Sequence, residues 1–145
     1  MKQNEIMYRK EICQGFAQAL VYLYLQVGLD VDLGRGATDT SMHMFVYINL
    51  NGEEVFIDPT WESSREGTGL SFFGINTNFY NDNELTVRDS LNFVSNEAYN
   101  GNLTSEKYKP LWQMKEILSI TREDGNLAID YIDSEGNEMQ FIVPN

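Results

Sequence analysis

The sequence contains few of the residues on which many functional sites depend. Its 145 residues include one cysteine, one histidine and three prolines. With a single cysteine, no disulfide can form within the chain, and a site that combines a thiol with an imidazole must use Cys13 and His43. Basic residues are also scarce, since 10 Lys and Arg stand against 22 Asp and Glu, for a net charge of −12 at pH 7. Such a surface repels phosphate backbones and anionic lipid headgroups, so we expect no nucleic-acid partner.

Long hydrophobic runs are missing as well. The longest stretch without a charged residue, 13–29, contains three glutamines. It is shorter than the roughly 20 apolar residues that a membrane span needs. We therefore expect no membrane insertion. The first ten residues also lack the apolar segment of a secretory signal.

What the sequence does contain suits a folded domain. Hydrophobic residues make up 42% of the chain and aromatic residues 12%, which is enough to build a core. We expect residues 1–145 to form a single α+β domain, because this length falls within the usual size of one domain. Its core would span about 12–100, and residues 101–145 would add a helix and an acidic β-meander.

Hydrophobic periodicity predicts the individual elements. Residues 12–28 are apolar on nearly all sides, which predicts a buried helix that ends at Gly28. We predict a strand over 29–37 and a hairpin over 42–58 around Asn51-Gly52, the preferred pair for a two-residue turn. Residues 59–69 are predicted as a loop, 70–75 as a short buried strand or turn, and 83–99 and 104–118 as helices. The segment from 117 onward is predicted to form a three-stranded meander with turns at 124–125 and 135–137.

The predicted hairpin turn also fixes which side chains share a face. With Asn51 and Gly52 as the turn, Phe45 lies opposite Asp58, and His43 is two residues further along. Because side chains alternate between faces, His43 and Asp58 become diagonal neighbours about 7–8 Å apart at Cα. A carboxylate in that position accepts a ring N–H, fixes the tautomer and stabilises the imidazolium.

Cys13 falls in the first turn of the predicted helix. Unpaired N–H groups there lower the pKa of a thiol, and a nearby imidazolium lowers it further. Nucleophilic catalysis needs a thiolate, a base and a group that orients the base, which Cys13, His43 and Asp58 supply. Each of the three is also common in a purely structural role. Zinc held by these residues and a further carboxylate is a weaker alternative, since structural zinc sites have tightly spaced Cys and His; we expect neither metal nor cofactor.

Three segments carry a family resemblance: CQGFAQAL at 13–20, the histidine at 43 and FIDPTW at 56–61. Together they cover about a third of the chain and resemble the transglutaminase-like superfamily of papain-like cysteine enzymes. The resemblance implies a fold in which a buried, cysteine-bearing helix packs on an antiparallel sheet. It also implies that Cys13 is the nucleophile, His43 the base and Asp58 the orienting acid.

The resemblance extends to the substrate and to the residues around it. It implies a peptide or protein amide that Cys13 converts to a thioester, which water or an amine resolves. Substrate contacts are expected from Gln14, Phe45, Trp61 and Tyr8, and oxyanion donors from Tyr8 and the backbone N–H of Cys13. Two departures stand out: Phe45 replaces the usual tryptophan, and only 12 residues precede Cys13, where relatives have helices. They favour the alternative function, a binding or surface module that keeps the fold.

Overall fold

The computed structural model describes residues 3–90 and 102–143, with the backbone alone described for 3–11, 89 and 90. The helices are α1 (Gln3–Gln26), α2 (Pro59–Ser64), α3 (Thr77–Asp82) and α4 (Lys109–Trp112). The strands are β1 (Asp30–Ala37), β2 (Met42–Leu50), β3 (Glu53–Ile57), β4 (Phe73–Ile75), β5 (Thr86–Ser90), β6 (Met114–Glu123), β7 (Asn126–Asp133) and β8 (Glu138–Val143). The fold class is α+β, as predicted.

The strands form two antiparallel sheets. The larger has the order β4-β3-β2-β1-β5 and the smaller the order β6-β7-β8. One cluster of buried side chains joins α1, the larger sheet, α4 and the smaller sheet; it includes Ala17, Val46, Leu111 and Ile129. A second cluster, with Phe45, Phe56 and Tyr80, lies on the other face of the hairpin. The larger sheet is therefore packed on both faces, and the hairpin β2–β3 runs through its middle.

Three turns predicted from local sequence are confirmed. Asn51 and Gly52 both have positive φ, 53° and 90°, and Leu50 pairs with Glu53. This is the backbone of the two-residue turn that Asn-Gly favours. The meander β6–β7–β8 is also confirmed, with positive φ at Gly125 and at Gly136 in its two turns. The hairpin register is therefore the one from which the position of His43 was predicted.

The first helix differs from its prediction in length and burial. It begins at Gln3 instead of residue 12, and it ends as predicted, with Gly28 at a φ of 78° and its N–H bonded to the carbonyl of Leu25. Cys13 and Ala17 lie on the buried face. Phe16, Leu23 and Val27 are exposed, so the expectation of a helix buried nearly all round is wrong. Over 12–26, where the side chains of α1 are described, one stripe of the helix packs on the sheet. No helix in the described ranges is both long and apolar enough to cross a membrane.

Three other predicted elements need correction. Residues 59–64 of the predicted loop form α2, because Asp58 caps its N-terminus and Pro59 fits the first helical turn. The predicted helix 83–99 is wrong over its described part, where β5 pairs with β1, and 91–99 lie outside the described residues. The predicted helix 104–118 is reduced to α4, since Pro110 is tolerated only at a helix start and the chain then enters β6.

Candidate active site

Asp58 follows directly after β3 and is fully buried. Its Oδ1 accepts a hydrogen bond from the backbone N–H of Trp61 at 3.0 Å, which makes Asp58 the N-cap of α2. Its Oδ2 lies 2.6 Å from Nε2 of His43 and accepts a hydrogen bond from the Tyr80 hydroxyl at 2.9 Å. These partners compensate for the burial of the carboxylate. They also fix the direction in which its oxygens point.

His43 lies on β2, on the same face of the hairpin as Asp58, as the register predicts. Its Nε2 is engaged by Asp58, and a second side-chain hydrogen bond joins its ring to the thiol of Cys13. Nδ1 is therefore the nitrogen left for the thiol. The Trp61 ring stacks on the imidazole, with centroids 4.9 Å apart and planes inclined by 15°. Stacking and hydrogen bonding together hold the imidazole in one orientation.

The electrostatics of the site favour an ion pair between Cys13 and His43. Burial acts to raise the pKa of the Cys13 thiol, but the hydrogen bond and charge of His43 and a backbone hydrogen bond from Met44 outweigh it and lower that pKa. Burial acts to lower the pKa of His43, yet hydrogen bonds to Asp58 and Cys13 raise it from 6.5 to about 9. Both shifts favour thiolate and imidazolium over thiol and neutral imidazole.

The position of Cys13 in its helix differs from the prediction. Since α1 begins at Gln3, Cys13 lies in the helix interior and not in the first turn. Only the first four N–H groups of a helix are unpaired, and the effect of the dipole is confined to the first turn. The helix start therefore neither activates the thiol nor leaves the Cys13 N–H as an oxyanion donor. His43, the backbone N–H of Met44 and, to a smaller extent, the backbone N–H of Gln14 lower the thiol pKa instead.

Cys13 and His43 line a cavity of about 580 Å³ formed by α1, the start of β2 and α2. Part of its wall is apolar and consists of Ile12, Phe16, Met42 and Trp61. The rest carries hydroxyl groups, from Ser41, Thr60, Ser63 and Ser64. The volume lies in the range of sites that bind small ligands or a few residues of a peptide. The thiol thus faces a space that a substrate can enter.

Comparison with known proteins assigns no family. No protein-family model, no curated protein and no solved structure matches the chain. What the site does is therefore inferred from the geometry of Cys13, His43 and Asp58.

The structure brings together some of the residues predicted to contact substrate. Trp61 lines the cavity, as a wall of the cleft should. Phe45 does not, because it is fully buried among core aromatics, with its ring centroid 6.1 Å from that of His43. Gln14 is half-buried and is not part of the cavity wall. The side chain of Tyr8 lies outside the described residues, so its role stays a prediction.

Sequence reasoning missed two residues around Asp58. Tyr80, on α3, donates to the Asp58 carboxylate from 22 residues away, and nothing local in the sequence signals this contact. Thr60 lines the cavity, and within the described ranges its hydroxyl is buried without a hydrogen-bond partner. The Asp-Pro start of α2 was available as a signal, because Asp is a preferred N-cap and Pro a preferred first helical residue. It would have placed Thr60 beside the predicted triad.

The arrangement of possible metal ligands can be read over the described side chains. Among those of 12–88 and 102–143, no group of three or more Cys, His, Asp and Glu is placed to hold a metal ion. Cys13, His43 and Asp58 instead form a series in which the imidazole lies between thiol and carboxylate. That order suits proton transfer.

Proposed function

We propose that the chain is a transglutaminase-like cysteine hydrolase or acyltransferase that acts on peptide or protein amides. The observation that carries the proposal is the hydrogen-bonded series Cys13–His43–Asp58 at the wall of a cavity. The position of each residue supports the proposed resemblance. The cysteine lies on a helix packed against an antiparallel sheet, the histidine lies on the first strand of the hairpin β2–β3, and the aspartate follows its second strand. The motifs at 13–20 and 56–61 support it further.

The proposed reaction uses the three side chains in turn. The Cys13 thiolate attacks the amide carbonyl and forms a C–S bond, while the His43 imidazolium gives its proton to the leaving nitrogen as the C–N bond breaks. The thioester that results is attacked by water or by an amine, whose proton His43 accepts. The C–S bond then breaks, and Cys13 leaves as a thiolate. Asp58 keeps the imidazole oriented and stabilises its charged form throughout.

Alkylation of the single cysteine tests the proposed ion pair. Iodoacetamide should modify Cys13 rapidly at pH 6, well below the unperturbed thiol pKa of about 8.5. His43→Ala should slow the reaction at pH 6, because the thiol loses the group that lowers its pKa. Tyr22→Ala serves as the matched control, since Tyr22 is exposed on the same helix. A parent protein that reacts no faster than free cysteine contradicts the ion pair and with it the catalytic proposal.

A binding module is the second candidate, and the position of Cys13 favours it. With Cys13 in the interior of α1, its N–H is not available to an oxyanion. Loss of one oxyanion donor costs roughly 10²–10³ in rate. A cleft with this deficit suits a domain that holds a peptide without cleaving it.

Turnover distinguishes the two candidates and identifies the acyl acceptor. The assay combines glutamine-bearing peptides with a labelled primary amine and follows ammonia release and label incorporation. We expect ammonia release to exceed incorporation, because keeping water from a thioester needs a closed cleft and Phe16 and Met42 in this cavity wall are half-exposed. Cys13→Ala is the control. Incorporation faster than ammonia release contradicts the hydrolase preference, and no Cys13-dependent turnover favours the binding module.

A further inference from the structure

The described wall of the cavity at Cys13 has few charged side chains for a protein that is rich in them. The sequence carries 32 ionisable Lys, Arg, Asp and Glu residues, 10 basic and 22 acidic. Among the side chains that the structure describes, 12–88 and 102–143, no Lys, Arg, Asp or Glu lines the cavity, and the charges at its wall are those of the Cys13–His43 ion pair. The imidazolium of that pair is already engaged by the Cys13 thiolate and by Asp58. A charged substrate group that enters this space loses water and meets no Lys, Arg, Asp or Glu side chain of opposite sign in the described part of the wall.

Two of the apolar wall residues are strongly exposed. Phe16 on α1 is 45% exposed, and Met42 at the start of β2 is 46% exposed, whereas Cys13 and His43 beside them are buried. Phe16 and Met42 therefore form the outer part of the wall. Both are large, and methionine adapts its shape to varied apolar partners. An apolar group that lies against them removes their surface from water, which favours binding in proportion to the area covered.

We propose that this cavity takes an uncharged, apolar side chain of the acyl donor, which lies against Phe16 and Met42 while its carbonyl reaches Cys13. The proposal rests on the proposed function for the role of Cys13 and goes beyond it in naming the substrate class. The hydroxyl groups of Ser63 and Ser64 already donate to the backbone carbonyls of Thr60 and Trp61. The Ser41 hydroxyl lies 3.1 Å from the hydroxyl of Thr38, and the Thr60 hydroxyl oxygen is buried. The apolar wall is therefore the main determinant of which side chain is accepted.

Thiol reagents of different charge test the cavity without requiring turnover. Alkylthiosulfonates transfer their group to a thiolate: the sulfur–sulfur bond to Cys13 forms, and methanesulfinate leaves. The methyl, benzyl, sulfonatoethyl and trimethylammonioethyl methanethiosulfonates are compared, each rate divided by the rate with free cysteine. Salt at about 1 M shortens the screening length to roughly 3 Å and suppresses attraction or repulsion by the overall charge.

The expected pattern is a preference for the apolar reagent. The benzyl reagent should exceed the methyl reagent by about tenfold, because burial of an aromatic ring against Phe16 and Met42 is favourable. Both charged reagents should fall below the methyl reagent. Phe16→Ala and Met42→Ala should each reduce the ratio of the benzyl rate to the methyl rate. Ile120→Ala is the matched control, since Ile120 is 56% exposed on β6 and does not line the cavity. Equal normalised rates for benzyl and methyl, or a preference that survives both wall variants, overturns the proposal.

A substrate series separates this inference from the proposed function. N-acetyl derivatives of phenylalanine, leucine, aspartate and lysine, each linked as an amide to aminomethylcoumarin, report kcat/KM for one acyl side chain at a time. The two apolar derivatives should be cleaved about tenfold more efficiently than the two charged ones. Cleavage without this preference overturns the inference and leaves acyl transfer standing. The reagent preference without any Cys13-dependent cleavage supports the apolar cavity and overturns acyl transfer.

Discussion

His43 is the residue whose ionisation decides how the site behaves. Its Nε2 lies 2.6 Å from a fully buried carboxylate oxygen of Asp58, and its ring is also hydrogen-bonded to Cys13. Both partners are negatively charged when ionised, so they stabilise the imidazolium against the effect of burial. The Trp61 ring stacked on the imidazole limits the water that reaches it. A histidine in this setting keeps its proton at pH values well above its ordinary pKa.

The single histidine makes that pKa directly measurable. An NMR titration of the imidazole carbon-bound protons should give a pKa of about 9 for His43, against an ordinary value of 6.5. Asp58→Asn and Cys13→Ser should each lower the pKa of His43, because each removes a partner of the imidazolium. Tyr80→Phe is a control for Asp58→Asn: it removes a hydrogen bond to the same carboxylate and keeps the negative charge. A His43 pKa at or below 6.5 in the parent contradicts the electrostatic description.

The same shift sets how stability depends on pH. The pKa of His43 is higher in the folded state than in the unfolded chain, so the imidazolium favours folding at low pH. Its contribution is complete below about 6.5 and is lost as the pH rises toward about 9. Chemical denaturation of the parent and of His43→Ala between pH 6 and 9 measures this, and the free energy of unfolding of the variant should vary less.

At the scale of single elements, the short strand β4 packs against the segment that precedes α4. Gly74, in the middle of β4, has a φ of 68°, and a Cβ built there would lie 2.5 Å from Cβ of Tyr108. Gly74→Ala should therefore lower the free energy of unfolding by about 2–4 kcal/mol, since it adds backbone strain and overpacking. Urea denaturation measures the loss.

Gly136 provides the matched control for Gly74. It has a similar positive φ of 87°, but a Cβ there would meet no atom within 4 Å. Gly136→Ala therefore adds only the backbone strain, about 1 kcal/mol. Equal losses in the two variants would show that β4 does not pack closely on Tyr108.

Elements with a local cause were predictable from the sequence, and elements with a distant cause were not. The Asn51-Gly52 turn and the Gly28 helix end each depend on a few neighbouring residues, and both were predicted. The position of His43 beside Asp58 followed from that turn alone. The strand β5 exists because β1 pairs with it, and no residue within 86–90 signals this. The start of α1 lies in a polar segment with no apolar periodicity, so the helix was predicted to begin at residue 12. Cys13 was therefore wrongly placed in the first turn.

At the scale of the whole molecule, charge and exposed apolar surface act against each other. The net charge of −12 repels copies of the chain from one another at pH 7. Several large apolar side chains of the smaller sheet are nevertheless exposed: Leu118, Ile120, Leu127, Met139 and Ile142. Solubility near neutral pH therefore depends on the charge.

Self-association should rise as that charge is removed. Light scattering between pH 7 and the pI near 4.3 should report growing assemblies as the pH falls. Ile120→Lys should reduce them, because it replaces an exposed apolar group with a charge on the smaller sheet. Lys115→Arg, on the same strand, keeps the charge and serves as control. Near-ultraviolet circular dichroism checks that the fold persists, and an association unaffected by Ile120→Lys contradicts the role of this sheet.

The three hydrogen bonds of Asp58 have a consequence for how this chain can evolve. The carboxylate orients His43, caps α2 through Trp61 and holds α3 through Tyr80, so it serves the fold as much as the chemistry. A lineage without the proposed activity would still be under selection to keep Asp58, because its loss would loosen two helices. Cys13 takes part in none of these three bonds. In such a lineage it would be substituted before Asp58. In descendants of this chain, the presence of Cys13, and not that of Asp58, would indicate whether the proposed activity was retained.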